Sequence, residues 1–169
     1  MTNPRHPFEL NIGFLITAEV GTCRDFPFAF DEIGLGEDLS LTNFKGVVTF
    51  SRTQQGLLLQ GKFSCNADLE CVRCLEEYAQ PLVWEFTDLY AFTNKSMSES
   101  ELLVPESGRI DLAPLLREYA LLELPIQPIC KTDCKGLCPT CGENLNKMDC
   151  GHRQDGDDSP FSVLKELIK

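Results

Sequence analysis

The chain has 169 residues, 43% of them apolar, which is enough for one domain, or one with a small appendage, to bury a core without help from disulfides. Its 15 basic and 26 acidic residues leave a net charge of −11, a field that repels phosphate and speaks against a body that binds bare nucleic acid. The stretch from Met1 to Phe8 lacks the basic and apolar regions of a secretory signal, and no apolar run approaches the ~20 residues of a membrane span, so a cytoplasmic protein with no membrane contact is expected.

In chain order, Phe8 to Thr17 and Phe26 to Phe30 read as strands, weakened by Gly13 and Pro27. Residues 44 to 52 alternate, with Phe44, Val48 and Phe50 on one side and Lys45, Thr49 and Ser51 on the other, as in a half-buried strand. Thr53-Gln54-Gln55-Gly56 is a hairpin turn in which Gly56 could take a positive φ. Leu57, Leu59, Gly61, Phe63, Cys65, Ala67, Leu69 and Cys71 then share one face of a long strand that ends at Cys71. Leu82, Trp84, Phe86, Tyr90 and Phe92 mark the next strand.

Residues 93 to 108 are polar, acidic and without period, and predict a mobile loop. Asp111 caps a predicted helix over 111 to 123, with Leu112, Leu115, Tyr119 and Leu122 as its apolar stripe and Pro125 as its stop. Pro125 to Cys130 should run extended into the cysteine-rich loop at 130 to 150, and Ser159-Pro160 opens a short terminal helix over 160 to 168. The fold predicted is therefore α+β in a single domain: a mostly antiparallel sheet from residues 8 to 92, one packed helix, a zinc-type loop and a terminal helix.

Seven of the nine cysteines are clustered: Cys71-Val-Arg-Cys74, then Cys130, Cys134, Cys138-Pro-Thr-Cys141 and Cys150. In a reducing compartment such spacing points to metal ligands rather than disulfides, and two thiolates separated by two residues reach one zinc ion without strain. Two groupings are open. One is local: Cys130, Cys134, Cys138 and Cys141. The other pairs Cys71 and Cys74 with Cys138 and Cys141 as the knuckles of a zinc ribbon, leaving Cys130, Cys134, Cys150 and His152 for a second site. The bland reading of Cys71 and Cys74 is a reduced pair packed at a turn. Cys65, mid-strand on the apolar face, reads as a core thiol, Cys23 as a residue without a role, and His6 as solvated.

Other chemistries find little support. The spacing Cys134-x3-Cys138-x2-Cys141 formally matches the cluster ligands of radical S-adenosylmethionine enzymes, but those carry it on a barrel larger than this chain. A thiol oxidoreductase would place its Cys-x-x-Cys at the start of a helix, whereas Cys71 and Cys74 lie between predicted strands. Glu76/Glu77 and Asp157/Asp158 are adjacent in sequence and read as solvated surface, as do Arg73, Lys131, Lys135, Lys147 and Arg153 around the cysteines.

Five segments together carry a resemblance: Leu69-Glu-Cys71-Val-Arg-Cys74-Leu, Ile110-Asp-Leu-x3-Leu-Arg-Glu, Leu124-Pro-Ile-Gln-Pro, Cys134-Lys-Gly-Leu-Cys-Pro-Thr-Cys141-Gly-Glu-Asn-Leu-Asn146, and Ser159-Pro-Phe-Ser-Val-Leu. In order and spacing, from about residue 40 to the end, the chain resembles the YceD-like family of large ribosomal RNA subunit accumulation proteins. The resemblance implies a non-catalytic ribosome-biogenesis factor needed for accumulation of large-subunit ribosomal RNA. The acidic body suits a ribosomal protein or large-subunit assembly intermediate as partner better than bare RNA. It also implies that the later cysteine run is a stabilising elaboration, because similar sequences keep the pair at Cys71 and Cys74 without it. The rival reading is a metal-dependent RNA-processing or RNA-modifying enzyme, in which zinc held by three protein ligands would activate a water.

Overall fold

The computed structural model describes residues 7–36, 39–93 and 102–152; the predicted terminal helix at 160–168, His6 and Arg153 lie outside the described residues. The elements run β1 (Glu9–Asn11), α1 (Gly13–Ile16), β2 (Cys23–Gly34), β3 (Ser40–Arg52), β4 (Gly56–Glu70), β5 (Glu77–Ala91), β6 (Arg109–Asp111) and α2 (Ala113–Glu123). Strands β2, β3, β4 and β5 form an antiparallel meander in sequence order, and β1 pairs with β6 in a separate two-stranded ribbon.

Period-two alternation sets the faces of this meander. Along β4 buried and accessible residues alternate from Leu59 to Ala67, and the pairing with β5 runs unbroken from Gly56↔Ala91 to Glu70↔Glu77. That rigid ladder delivers Cys71, fully buried, at the end of β4. Glycines at two register positions make room for aromatic rings: Phe63 lies over Gly46 on β3, and Phe86 over Gly61 on β4. The rings of Phe63 and Phe86 are in turn stacked on each other, with centroids 6.1 Å apart.

Helix α2 covers the apolar face. Its N-terminus is held by Asp111, whose Oδ1 accepts the Ala113 N–H at 2.9 Å. Tyr119 stacks on Phe86 at 4.5 Å and donates its hydroxyl hydrogen to Asp88 Oδ2 at 3.1 Å, while the Arg117 guanidinium donates to Leu35 O. The buried line is Leu112, Leu116 and Ala120, with Leu115 and Tyr119 half-buried beside it; Leu122, expected in the stripe, is 73% exposed.

Other expectations need correction. The predicted strand over 8–17 is a three-residue strand followed by the turn of helix α1, and the N-terminal strand at 26–30 extends over the whole of β2. Pro27 is tolerated because β2 is an edge strand, where a missing N–H leaves no neighbour unpaired. Gly56 is not needed for a positive φ, since its φ is not in that region; a side chain there would run into the backbone of Tyr90 and Ala91. Within the segment expected to be a mobile loop, residues 102–104 lie along the end of β5: Ala91 N–H donates to Leu102 O and Val104 N–H to Ala91 O, both at 2.9 Å. Among the described residues no helix is long and apolar enough to cross a membrane.

Candidate metal centre

Two turns with the same hydrogen bonds carry the Cys-x-x-Cys pairs. In the first, between β4 and β5, Cys71 N–H donates to Glu76 O and Leu75 N–H to Cys71 O, each at 2.9 Å. In the second, Cys138 N–H donates to Glu143 O and Gly142 N–H to Cys138 O, each at 2.8 Å. The fifth residue of each turn is left-handed, with φ of 57° at Leu75 and 75° at Gly142. Such a turn points the paired sulfurs at one spot, the geometry a tetrahedral ion requires.

The segment after α2, bent at Leu124, Ile126 and Gln127 where an extended run over 125–130 was expected, brings the first pair its partners. Val72 N–H donates to Pro128 O at 2.9 Å, which docks the approach to Cys130 against the first turn, and Cys134 N–H closes a turn onto Lys131 O at 3.0 Å. The sulfur of Cys71 lies 3.9 Å from that of Cys134, and the sulfur of Cys74 lies 3.6 Å from that of Cys130. All four donor atoms fall within 4.8 Å of one another. At a zinc–sulfur distance of about 2.3 Å the edge of a tetrahedron is about 3.8 Å, so these four sulfurs fit a zinc-sized ion. Cys71, Cys74 and Cys134 are buried, Tyr78 and Ile129 pack against them, and all the cysteines are free thiols.

The surroundings favour thiolate at two of the four positions. Burial pushes the Cys71 thiol up, but backbone N–H groups of Cys130, Cys74 and Arg73 outweigh it and hold the value at about 6. Burial likewise opposes ionisation of Cys134, and the side-chain amide of Asn146 with the Gly136 N–H overcomes it. Asn146 Nδ2 donates to Cys134 Sγ at 3.3 Å, while its Oδ1 accepts the Lys135 N–H at 2.9 Å. Cys130 is pushed up to about 12 by burial and by the neighbouring sulfurs of Cys74, Cys134 and Cys71. A cation at the centre would reverse that last effect, because it stabilises every thiolate around it.

Further bonds tie the later loop back to the first turn. Arg73 Nη1 donates to Cys134 O at 3.1 Å, Leu137 N–H donates to Arg73 O at 3.0 Å, and Lys147 pairs with Glu76. Gly136, at φ 77°, allows this approach: a Cβ there would sit 3.0 Å from Arg73 O.

Cys138, Cys141, Cys150 and His152 form a second set of four donors, also within 4.8 Å of one another. Neither grouping open to the sequence matches these two sets. The local four are divided, because Cys130 and Cys134 face the first turn and Cys138 and Cys141 do not; the ribbon is divided too, because each knuckle heads its own cluster. Asn146 closes one of the segments that carry the family resemblance, but no role was assigned to it, since an asparagine in a polar loop carries no periodic or spacing signal. Cys65 is buried in the sheet core, with burial raising its pKa to about 11, and the exposed Cys23 lies near Ser51, apart from both clusters.

A profile of the family described as large ribosomal RNA subunit accumulation protein YceD matches residues 59–168, beginning within β4 rather than near residue 40. An uncharacterized protein of Mycobacterium tuberculosis is 32% identical over 118 residues, which is 68% of this chain and 56% of that protein. The chloroplastic YCED homolog 1 of Arabidopsis thaliana, a large ribosomal RNA subunit accumulation protein, is 40% identical over 68 residues, 38% of this chain and 21% of that protein. The Haemophilus influenzae protein of the same description is 35% identical over 81 residues, covering 45% of this chain and 47% of its own. The chain thus spans little more than half the length of the mycobacterial relative, and no solved structure matches it.

Proposed function

The chain belongs to the YceD family of large ribosomal RNA subunit accumulation proteins, and from that premise we propose that it is a non-catalytic, cytoplasmic ribosome-biogenesis factor. In this reading it is a zinc-containing binding module that holds a ribosomal protein or an assembly intermediate of the large subunit. Cys71, Cys74, Cys130 and Cys134 hold one structural Zn2+. The observation that carries the reading is the composition of that set: four sulfurs, three of them buried, would fill the tetrahedron and leave no position for a reactive water. When bound, the ion supplies cross-linking charge, fastening the segment after α2 to the end of the sheet.

The chain's own groups do the rest. The Cys71 to Leu75 turn is fixed by its two backbone hydrogen bonds, Asn146 and Arg73 hold Cys134 in place, and the Lys147–Glu76 pair anchors the later loop. Val72 and Leu75, both more than half exposed, stand on the tip of this fastened turn as apolar contact points. The net charge of −11 favours a basic ribosomal protein over bare RNA as the partner.

Affinity capture of the tagged chain from cells at low salt tests the reading. Recovery of large-subunit precursor RNA or of an identified basic large-subunit protein is expected, and recovery should fall for Leu75→Asp. Recovery of neither, from an extract in which the bait is folded and metal-loaded, would count decisively against it.

A further inference from the structure

The second cluster is distinct from the clasp in the proposed function, and the case for it stands on other residues. Its knuckle, Cys138 to Gly142, repeats the hydrogen bonds of the Cys71 to Leu75 turn, so Cys138 and Cys141 are arranged as a ligand pair. Two features bring the remaining donors to them. Leu137 bridges to Asn144, and Leu145 N–H donates to Gly136 O at 3.0 Å, which folds the loop back on itself. Beyond it, Asp149 Oδ1 accepts the Gly151 N–H at 2.9 Å, and Gly151 takes a φ of 74°, a turn that sets His152 Nδ1 3.3 Å from Cys150 Sγ. For an ion with bonds of about 2.0 Å to nitrogen and 2.3 Å to sulfur, the nitrogen–sulfur edge of a tetrahedron is about 3.5 Å, close to the separation seen.

We propose that Cys138, Cys141, Cys150 and His152 form a second, separate metal site, for a soft divalent ion of the zinc type, which exchanges its ion far more readily than the buried tetrad.

Three thiolates and an imidazole suit zinc by ligand softness and number, and the set is complete without a group from outside. Exchange follows from how the two clusters are built. The tetrad joins residues 71–74 to residues 130–134 and has three of its four ligands buried, so releasing its ion requires opening a contact between distant parts of the chain. The second set lies wholly within residues 138–152, with Cys141 and His152 exposed and Cys150 half-buried. An incoming chelator or thiol can therefore reach two of its four ligands without disturbing the sheet. The protein is thus built with one ion that maintains the fold and one that can be traded with the surrounding zinc pool.

Reconstitution of the full chain with Co2+ tests this by stoichiometry and colour. Two ions per chain are expected, with an absorption spectrum that sums a four-sulfur centre and a three-sulfur, one-nitrogen centre. His152→Ala should abolish the second component or weaken it by at least about tenfold, the scale of loss on removing a ligand or its support, and leave the four-sulfur component intact. In the zinc-loaded wild-type chain, a chromophoric chelator should draw off one equivalent at least about tenfold faster than the other. One ion per chain in the wild type overturns the proposal. So does a His152→Ala chain unchanged in stoichiometry and spectrum, or a single release rate for both ions. If His152→Ala fails to fold, the wild-type protein decides: the three-sulfur signal must disappear first on chelation, and loss of the four-sulfur signal first contradicts the assignment.

Discussion

Leu75 occupies, at φ 57°, the position that Gly142 holds at 75° in the second knuckle. Two turns with the same hydrogen bonds have thus settled on different residues at their one left-handed position. A non-glycine side chain there costs about 1–2 kcal/mol, and the cost is retained at the knuckle where the leucine side chain is 56% exposed. Leu75→Gly is expected to stabilise the metal-loaded protein by up to about 1 kcal/mol, since the relief of strain is partly offset by the freedom glycine gains when unfolded. Leu75→Val, β-branched at a positive φ, should destabilise it by about 1–2 kcal/mol. Denaturant midpoints of the three proteins measure both effects, and a destabilised Leu75→Gly chain would mean that side-chain packing outweighs the backbone term.

Asn146 is expected to support metal affinity from behind Cys134. Asn146→Ala removes the N–H that steadies the thiolate and should weaken binding at the tetrad by about 10–100-fold in a chelator competition. Asn146→Asp keeps an oxygen for the Lys135 N–H but sets a negative charge against the sulfur, so it should bind metal no better than the alanine variant. Near wild-type affinity in Asn146→Asp would show that the residue acts only on the loop backbone.

Helix α2 offers a test of which face is buried. Leu116→Ala leaves a cavity under a fully buried side chain and should cost about 2–5 kcal/mol, whereas Leu122→Ala, at a largely exposed position, should stay within about 0.5 kcal/mol. A larger loss from Leu122→Ala than from Leu116→Ala would place the apolar stripe where the sequence alone had suggested.

Alkaline pH should loosen the core of the sheet. Burial raises Cys65 from an ordinary 9.0 to about 11 and Tyr90 from 10.0 to about 12, with Asp88 and Asp111 adding to the latter. Both groups are neutral when folded and ionise more easily when unfolded. Their contribution to stability is therefore complete below pH 9 and is lost as pH climbs through 11 to 12. Thermal midpoints of the wild type should fall over that window, and Cys65→Ala should fall less steeply; parallel curves would show that Cys65 does not contribute.

Much of this architecture was legible because alternation is a strong signal: alternate residues from Leu57 to Leu69 share one face along a single unbroken ladder that ends just before Cys71. The helix face was misread by about one position because α2 is apolar on several sides, and the small Ala120, which lies at the packed centre, counts for little beside Leu122. Strand β2 was hidden by Pro27 and by charged residues, both of which an edge strand accepts. That the cysteines gather into clusters able to hold a metal was legible, but their grouping was not. Spacing treats Cys130 to Cys150 as one run, whereas tertiary contacts, Val72 with Pro128 and Arg73 with Cys134, send Cys130 and Cys134 to the far turn. The first knuckle also lacks the glycine that marks the second, so the equivalence of the two was invisible until Leu75 showed its φ.

The proposed clasp between residues 71–74 and 130–134 is tested most directly by zinc X-ray absorption on a Cys138→Ser/Cys141→Ser double variant, in which only the tetrad can act as a four-thiolate site. The expected result is one zinc per chain surrounded by four sulfurs at about 2.3 Å. Loss of zinc, or a shell with only two sulfurs and lighter atoms in place of the rest, would mean that Cys130 and Cys134 take their ion with Cys138 and Cys141 and not with Cys71 and Cys74.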